Sequence, residues 1–172
     1  MKRITIISTG GTIEKTYCPD DGSLRNAGSV LDRLLDTLVL SDLEIVREHL
    51  FDKDSLDMDE HDHELVAAKV VESSAVSDGV IVVHGTDRLA VTGELVLERL
   101  RERGGATCPV VLTGAMRPFE LRTSDATQNV TESLLAVRIL GPGVFCVMHG
   151  RVLEFPGVVK DVRQGTFVRS PG

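Results

Sequence analysis

Val80-Ile81-Val82-Val83-His84-Gly85-Thr86-Asp87 is the stretch whose reading decides the fold. Its four β-branched residues run without polar interruption, so both faces of the strand are expected to be covered. A turn rich in glycine and hydroxyl groups follows. Leu89, Val96 and Leu100 then recur at helical spacing until Gly104-Gly105, a strong helix stop. Val110-Val111-Leu112 opens the next strand. Strand, helix and strand in that order form a βαβ unit, which implies a parallel pair.

The same rhythm extends in both directions. Further strands are expected at Ile4-Thr5-Ile6-Ile7, at Leu43 to Val46 with Leu50-Phe51, and at Val144-Phe145-Cys146-Val147-Met148. Between them, Val30, Leu31, Leu34, Leu35 and Leu38 fall at helical spacing, as do Thr127, Val130, Leu134 and Val137, with Thr123 or Ser124 as N-cap. The tail after Gly150 carries no clear periodicity. The expected fold is α/β: a single doubly wound, Rossmann-like, mostly parallel sheet flanked by helices. With 172 residues, 42% of them hydrophobic, residues 1–172 suffice for one domain with a sizeable core and not for two.

A formal net charge of -7 repels phosphate backbones and anionic lipid, so no nucleic-acid partner is expected. No apolar run reaches the roughly 18 residues of a membrane span, and the Ile4–Ile7 run is too short for a signal-peptide core. No membrane partner and a cytoplasmic location follow as expectations. Cys18, Cys108 and Cys146 are an odd number without close pairing, which argues against a disulfide framework or a Cys-rich zinc site; Cys108 and Cys146 read as core residues. In Asp57-Met58-Asp59-Glu60-His61-Asp62-His63-Glu64 the acids suit the start of a helix, and His61 and His63, two apart, would face different sides of it. No metal and no cofactor are expected. Asn129-Val130-Thr131 spells a glycosylation sequon, but inside a predicted helix.

Open parallel sheets bind ligands beyond the carboxyl ends of their strands. Two such loops stand out: Ser8-Thr9-Gly10-Gly11-Thr12 with Tyr17 close behind, and His84-Gly85-Thr86-Asp87. Right-handed crossovers would bring both to one rim, so that Thr12 and Thr86 meet one substrate. A threonine hydroxyl attacks a carbonyl only when a neighbour takes its proton and something stabilises the oxyanion. Gly10 and Gly11 allow close backbone approach with N–H donors, Tyr17 is placed to relay the Thr12 proton, and Asp87 to pair with a substrate ammonium.

Thr9-Gly10-Gly11-Thr12-Ile13 and His84-Gly85-Thr86-Asp87 resemble the two signature motifs of the bacterial-type L-asparaginase family. Asp54-Ser55-Leu56-Asp57-Met58 resembles its substrate-carboxylate loop, and Gly114-Ala115-Met116-Arg117-Pro118 the segment after its fourth strand. Four motifs occur in the family's order. The resemblance covers the N-terminal domain of a typical member, as a short, one-domain form. It implies that Thr12 is the nucleophile of an acyl-enzyme, that Tyr17 belongs to a mobile lid, and that Thr86, Asp87 and a lysine form a second cluster. Lys160, in Val158-Val159-Lys160-Asp161-Val162, matches that lysine. Ser55 matches the serine that holds the substrate α-carboxylate, Asp87 the group that receives the α-amine, and Gly11, Gly85 and Ala115 the backbone contacts.

Two positions depart from the pattern: Leu56 stands where longer members carry glutamine, and Arg88 where they carry threonine. Longer members also complete the site with the second domain of a neighbouring subunit, so a homodimer is expected to supply other groups here. The implied activity is hydrolysis of the side-chain amide of L-asparagine, less readily of glutamine, to the acid and ammonia. The alternative is a non-catalytic amino-acid-binding or sensing module that keeps the asparaginase pocket. A metal-dependent hydrolase using His61 and His63 is a weaker third reading.

Overall fold

The computed structural model describes residues 1–26 and 30–170. Its centre is a six-stranded sheet built from β1 (Lys2–Gly10), β4 (Leu43–Lys53), β5 (Gly79–Val83), β6 (Pro109–Thr113), β7 (Gly143–Met148) and β8 (Arg151–Glu154). The strand order is β4-β1-β5-β6-β7-β8, parallel throughout except for β8, which folds back on β7. Two hairpins stand outside it: β2 (Lys15–Tyr17) with β3 (Leu24–Asn26), and β9 (Val158–Asp161) with β10 (Thr166–Arg169).

The unbroken apolar runs are explained by two cores, one on each face. Val80, Val82, Val110 and Leu112 pack with Val66, Val70, Val96 and Leu100 from α2 (Glu60–Ser74) and α3 (Leu89–Glu102). Ile81, Val83 and Val111 point the other way, onto Leu31 and Leu34 of α1 (Val30–Asp36) and Val130, Leu134 and Val137 of α4 (Ala126–Ile139). Successive residues of one strand therefore serve opposite cores, which is what a doubly covered sheet demands. Among the described residues, no helix is long and apolar enough to cross a membrane.

Helix ends follow local chemistry. Gly104 N donates to Arg101 O and Gly105 N to Leu100 O, at 3.1 and 2.9 Å, the paired bonds that let two left-handed glycines close α3. Asp59 and Asp62 cap α2 reciprocally, each carboxylate accepting from the other's backbone N–H. The acid-rich run at 57–64 is thus a helix start. His61 is exposed and His63 buried, as their spacing predicts.

Two expectations are corrected. The residue before α4 is Asp125, and Ser124 acts one position early, its Oγ accepting from Ala126 N at 3.1 Å. Asp125 is unavailable as a cap because its carboxylate binds the backbone N–H groups of Met116 and Arg117. Second, the crossovers do not all share one hand. Those through α1, α2 and α3 do, whereas the β6-to-β7 connection advances along the sheet like that through α3 but lies over the opposite face. Its hand is therefore reversed, against the strong preference for right-handed connections. Asn129, fully buried in α4, helps hold it there: Nδ2 donates to Gly114 O and Oδ1 accepts from His149 N.

Candidate active site

The chain runs from β1 to its neighbour on one side and then returns to β5 on the other. The carboxyl ends of β1 and β5 thus flank a topological switch point, where an open α/β sheet offers a crevice. Gly10-Gly11 leaves one strand and His84-Gly85 the other, with Ser8 and Val83 paired in register just before.

The two turns touch through their glycines. A Cβ at Gly11 would lie 2.6 Å from Gly85 Cα and 2.7 Å from Gly85 N. A Cβ at Gly85 would in turn lie 2.6 Å from both Cβ and Oγ of Ser55, and one at Gly114 would lie 2.2 Å from His84 O and 3.4 Å from Thr86 Cγ2. Only residues without side chains permit these approaches. Gly11 N also donates to Lys53 O at 3.0 Å, tying the turn to the end of β4. All four motif segments, distant in sequence, therefore meet at one rim.

Thr12 begins a single turn of 3-10 helix, Thr12–Glu14, and is half-buried; among the described residues nothing hydrogen-bonds its hydroxyl. Thr86 is buried, and its Oγ1 accepts from Lys160 Nζ at 2.9 Å. The same ammonium donates to Asp87 Oδ1 at 2.7 Å. Since the Thr86 oxygen already accepts from Lys160, its own hydrogen is free to point elsewhere. Lys160 arrives from β9, more than seventy residues along the chain from its two partners. The structure brings Thr86, Asp87 and Lys160 into direct contact and pairs Asp87 with Lys160.

Ser55 is buried, and its Oγ accepts from Arg88 N at 3.4 Å. Ala115 is buried on the loop after β6. Tyr17 is exposed at the end of β2; its backbone N–H donates to Glu120 Oε2 at 3.1 Å, and its hydroxyl sits beside Gly22 in its own hairpin. Leu56, the departure from the family pattern, is exposed.

Several supporting groups were not singled out from sequence. Lys15 Nζ donates to Asp54 Oδ2 at 2.6 Å, and this bond, with a second from Leu56 N, holds the Asp54 carboxyl below its ordinary pKa. Behind the Gly85 turn, His84 Nδ1 lies 2.8 Å from Gly85 O, which can only accept. The Nδ1 therefore carries the proton, Nε2 is left to accept from Thr92 Oγ1 at 2.8 Å, and Thr92 in turn accepts from His63 Nδ1 at 2.7 Å. Burial pushes the His84 pKa down to about 4, so the chain of bonds is built on a neutral ring. A separate cavity of about 420 Å³ is lined by Met116, Arg117, Asp125, His149, Arg151 and Thr166, among others. His149 bridges Thr166 Oγ1 and Asp125 Oδ2 there, at 2.9 and 2.8 Å. The sequence carried no sign of that bridge, because its members lie far apart and outside the motifs.

Comparison with known proteins adds the family. Over 157 residues the chain is 34% identical to the D-type component of the glutamyl-tRNA(Gln) amidotransferase of Aeropyrum pernix, covering 87% of this chain and 35% of that protein. It is 28% identical over 153 residues to the L-asparaginase of Thermococcus kodakarensis, covering 88% of this chain and 45% of the relative. The solved structure of the thermostable L-asparaginase from Thermococcus kodakarensis superposes with a TM-score of 0.85 at 25% identity, over 97% of this chain and 51% of that one. A probable cytoplasmic L-asparaginase from Campylobacter jejuni superposes at 0.77 with 26% identity, over 98% of this chain and 52% of that one. The chain thus spans about a third to a half of the length of these relatives. Residues 3–165 match the model of the asparaginase N-terminal domain, and the chain belongs to the asparaginase family.

Proposed function

We propose that residues 1–172 form one domain carrying the nucleophile of an amidohydrolase, which splits the side-chain amide of L-asparagine, and less readily of L-glutamine, into the acid and ammonia. The observation that carries this reading is the Lys160–Thr86–Asp87 cluster, set beside the contact between the Thr12 and Thr86 turns. Thr12 Oγ1 attacks the amide carbon while backbone N–H groups of the two turns, other than that of Gly11, which is spent on Lys53 O, face the oxyanion. The Thr12 proton passes, by way of Tyr17 or of Thr86 to Lys160 in its neutral amine form, to the departing nitrogen, which leaves as ammonia. Water then attacks the acyl-enzyme and frees the hydroxyl. Ser55 holds the α-carboxylate, Asp87 receives the α-amine, and Ala115, Gly11 and Gly85 contribute backbone contacts. Tyr17, on an exposed hairpin, closes over the site. The working form is taken to be a cytoplasmic homodimer, in which a second copy covers the rim.

The test is ammonia release from L-asparagine by the purified protein. Thr12→Ala is expected to abolish it and Lys160→Met to lower kcat by about 10²-fold or more. Undiminished release by Thr12→Ala ends the proposal. A second reading rests on the 34% identity with an amidotransferase component: the same amide chemistry, with the nitrogen passed to an acceptor instead of released. Binding of L-asparagine or L-glutamine without turnover by the chain alone would favour that reading, or a sensing module.

A further inference from the structure

Glu14, two residues past Thr12, is 1% exposed, and its Oε2 is buried without a hydrogen-bond partner among the described residues. A buried carboxylate oxygen left unpaired costs free energy that some ligand normally offsets. Burial, with the nearby Asp52 charge, holds the Glu14 carboxyl above its ordinary pKa. The backbone N–H of Gly10 draws on this carboxyl and works against the rise, but Oε2 stays unpartnered and the proposed chemistry gives the side chain no task.

The end of β4 brings His49 and Asp52 to the same place. One donor atom from each of Glu14, His49 and Asp52 lies within 4.8 Å of the other two. His49 Nε2 and Asp52 Oδ2 are 3.4 Å apart. That is the edge of a tetrahedron whose metal–ligand legs are about 2.0–2.1 Å, the range for zinc bound by imidazole and carboxylate. On the far side of the ring, Ser8 Oγ lies 3.2 Å from His49 Nδ1. Donation of Nδ1–H to this hydroxyl fixes the tautomer that leaves the Nε2 lone pair facing the two carboxylates, the usual outer support for a metal-bound histidine.

The local charge suits a dication. Arg47, whose field also reaches Glu14, donates through Nε to Asp32 at 2.7 Å. Asp32, Glu14 and Asp52 against one guanidinium leave two negative charges. His49 and Asp52 are half-exposed, so an ion can enter from solvent.

We propose that Glu14, His49 and Asp52 bind one divalent transition-metal ion, best matched by Zn²⁺, with Co²⁺ or Mn²⁺ as substitutes. The ion is a brace: it joins the Thr12–Glu14 turn to the end of β4 and holds the turn that carries the candidate nucleophile. A fourth position remains for water. No step of the amide chemistry passes through it, so the site stands or falls independently of the proposed activity.

The experiment uses chelator-stripped full chain titrated with ZnCl₂ by calorimetry, together with thermal melts and the visible spectrum of the Co²⁺ form. The wild-type chain is expected to bind one Zn²⁺, to melt at higher temperature with it, and to give the absorption of tetrahedral Co²⁺. Glu14→Gln and His49→Ala should each weaken binding by at least about 10-fold to 100-fold and remove the melting shift. Glu14→Gln loses a buried charge and should fold at least as well as wild type without metal, so loss of binding is not loss of fold. Equal Zn²⁺ affinity in wild type and both variants overturns the proposal, since the ion would then sit elsewhere. Absence of binding by the wild type at millimolar ZnCl₂ also overturns it, and points to a direct Glu14–Arg47 ion pair.

Discussion

Replacing Gly11 with alanine tests the contact on which the candidate site depends. Gly11 has φ 84° and ψ -172°, a conformation reached almost only by glycine. Holding alanine there costs about 1–3 kcal/mol. The added Cβ would also lie 2.6 Å from Gly85 Cα and 2.7 Å from Gly85 N. Both are backbone atoms, directly after a strand hydrogen-bonded on both sides, so they cannot rotate aside. Overpacking of that kind adds about 1–3 kcal/mol. The total, about 2–6 kcal/mol, is a large share of the 5–15 kcal/mol that is roughly typical of a domain. Gly104 supplies the control: its φ is +96°, but nothing lies within 4 Å of its would-be Cβ. Gly104→Ala therefore carries a positive-φ cost without the clash. Urea unfolding of both variants, with unchanged m values, should show Gly11→Ala less stable than Gly104→Ala by about 1–3 kcal/mol. Equal losses would mean that the turns do not press on each other as described, and would remove the geometric basis for a shared site.

Other consequences are open to direct measurement. The neutral, buried His84 has its pKa lowered from 6.5 to about 4, chiefly by burial, while the unfolded chain takes up its proton near 6.5. The unfolded state thus binds more protons in that window, and stability present above pH 6.5 is lost as pH falls to about 4, by roughly 3 kcal/mol. His63, also lowered by burial, acts in the same direction. Urea midpoints across this range should fall for wild type and fall less for His84→Gln; a flat wild-type profile contradicts the assignment. Burial pushes Cys108 up to about 11 and Cys146 up to about 12, whereas Cys18 is only partly buried. A thiol-reactive dye should therefore modify one cysteine per folded chain and all three in urea, and fast reaction of two or three would contradict the packing.

The central strands were legible because their apolar runs answer to two cores at once, and α3 because its stop at Gly104-Gly105 is purely local. The buried stripe of α4 was harder to read. It contains Ala126, Asn129 and Ser133, while Thr127 is exposed. A polar side chain satisfied by distant backbone leaves no periodic trace. The tail after Gly150 was opaque for a similar reason: β8, β9 and β10 are four residues each and take their register from partners elsewhere. At the candidate site, motif resemblance picked out residues that meet at one rim. It passed over Glu14, which looks like an ordinary loop acid until its burial is known.

The reversed β6-to-β7 crossover determines which parts of the molecule are tethered to each other. With α4 on the same side as α1, the loop 114–125 sweeps toward the β2–β3 hairpin, and Glu120 accepts from both Tyr17 N and Arg33 Nη2. Routed with the usual hand, that loop would exit above α3, and the hairpin would lose its tether. A topological exception thus ties the exposed β2–β3 hairpin to the same loop that carries Ala115 at the rim.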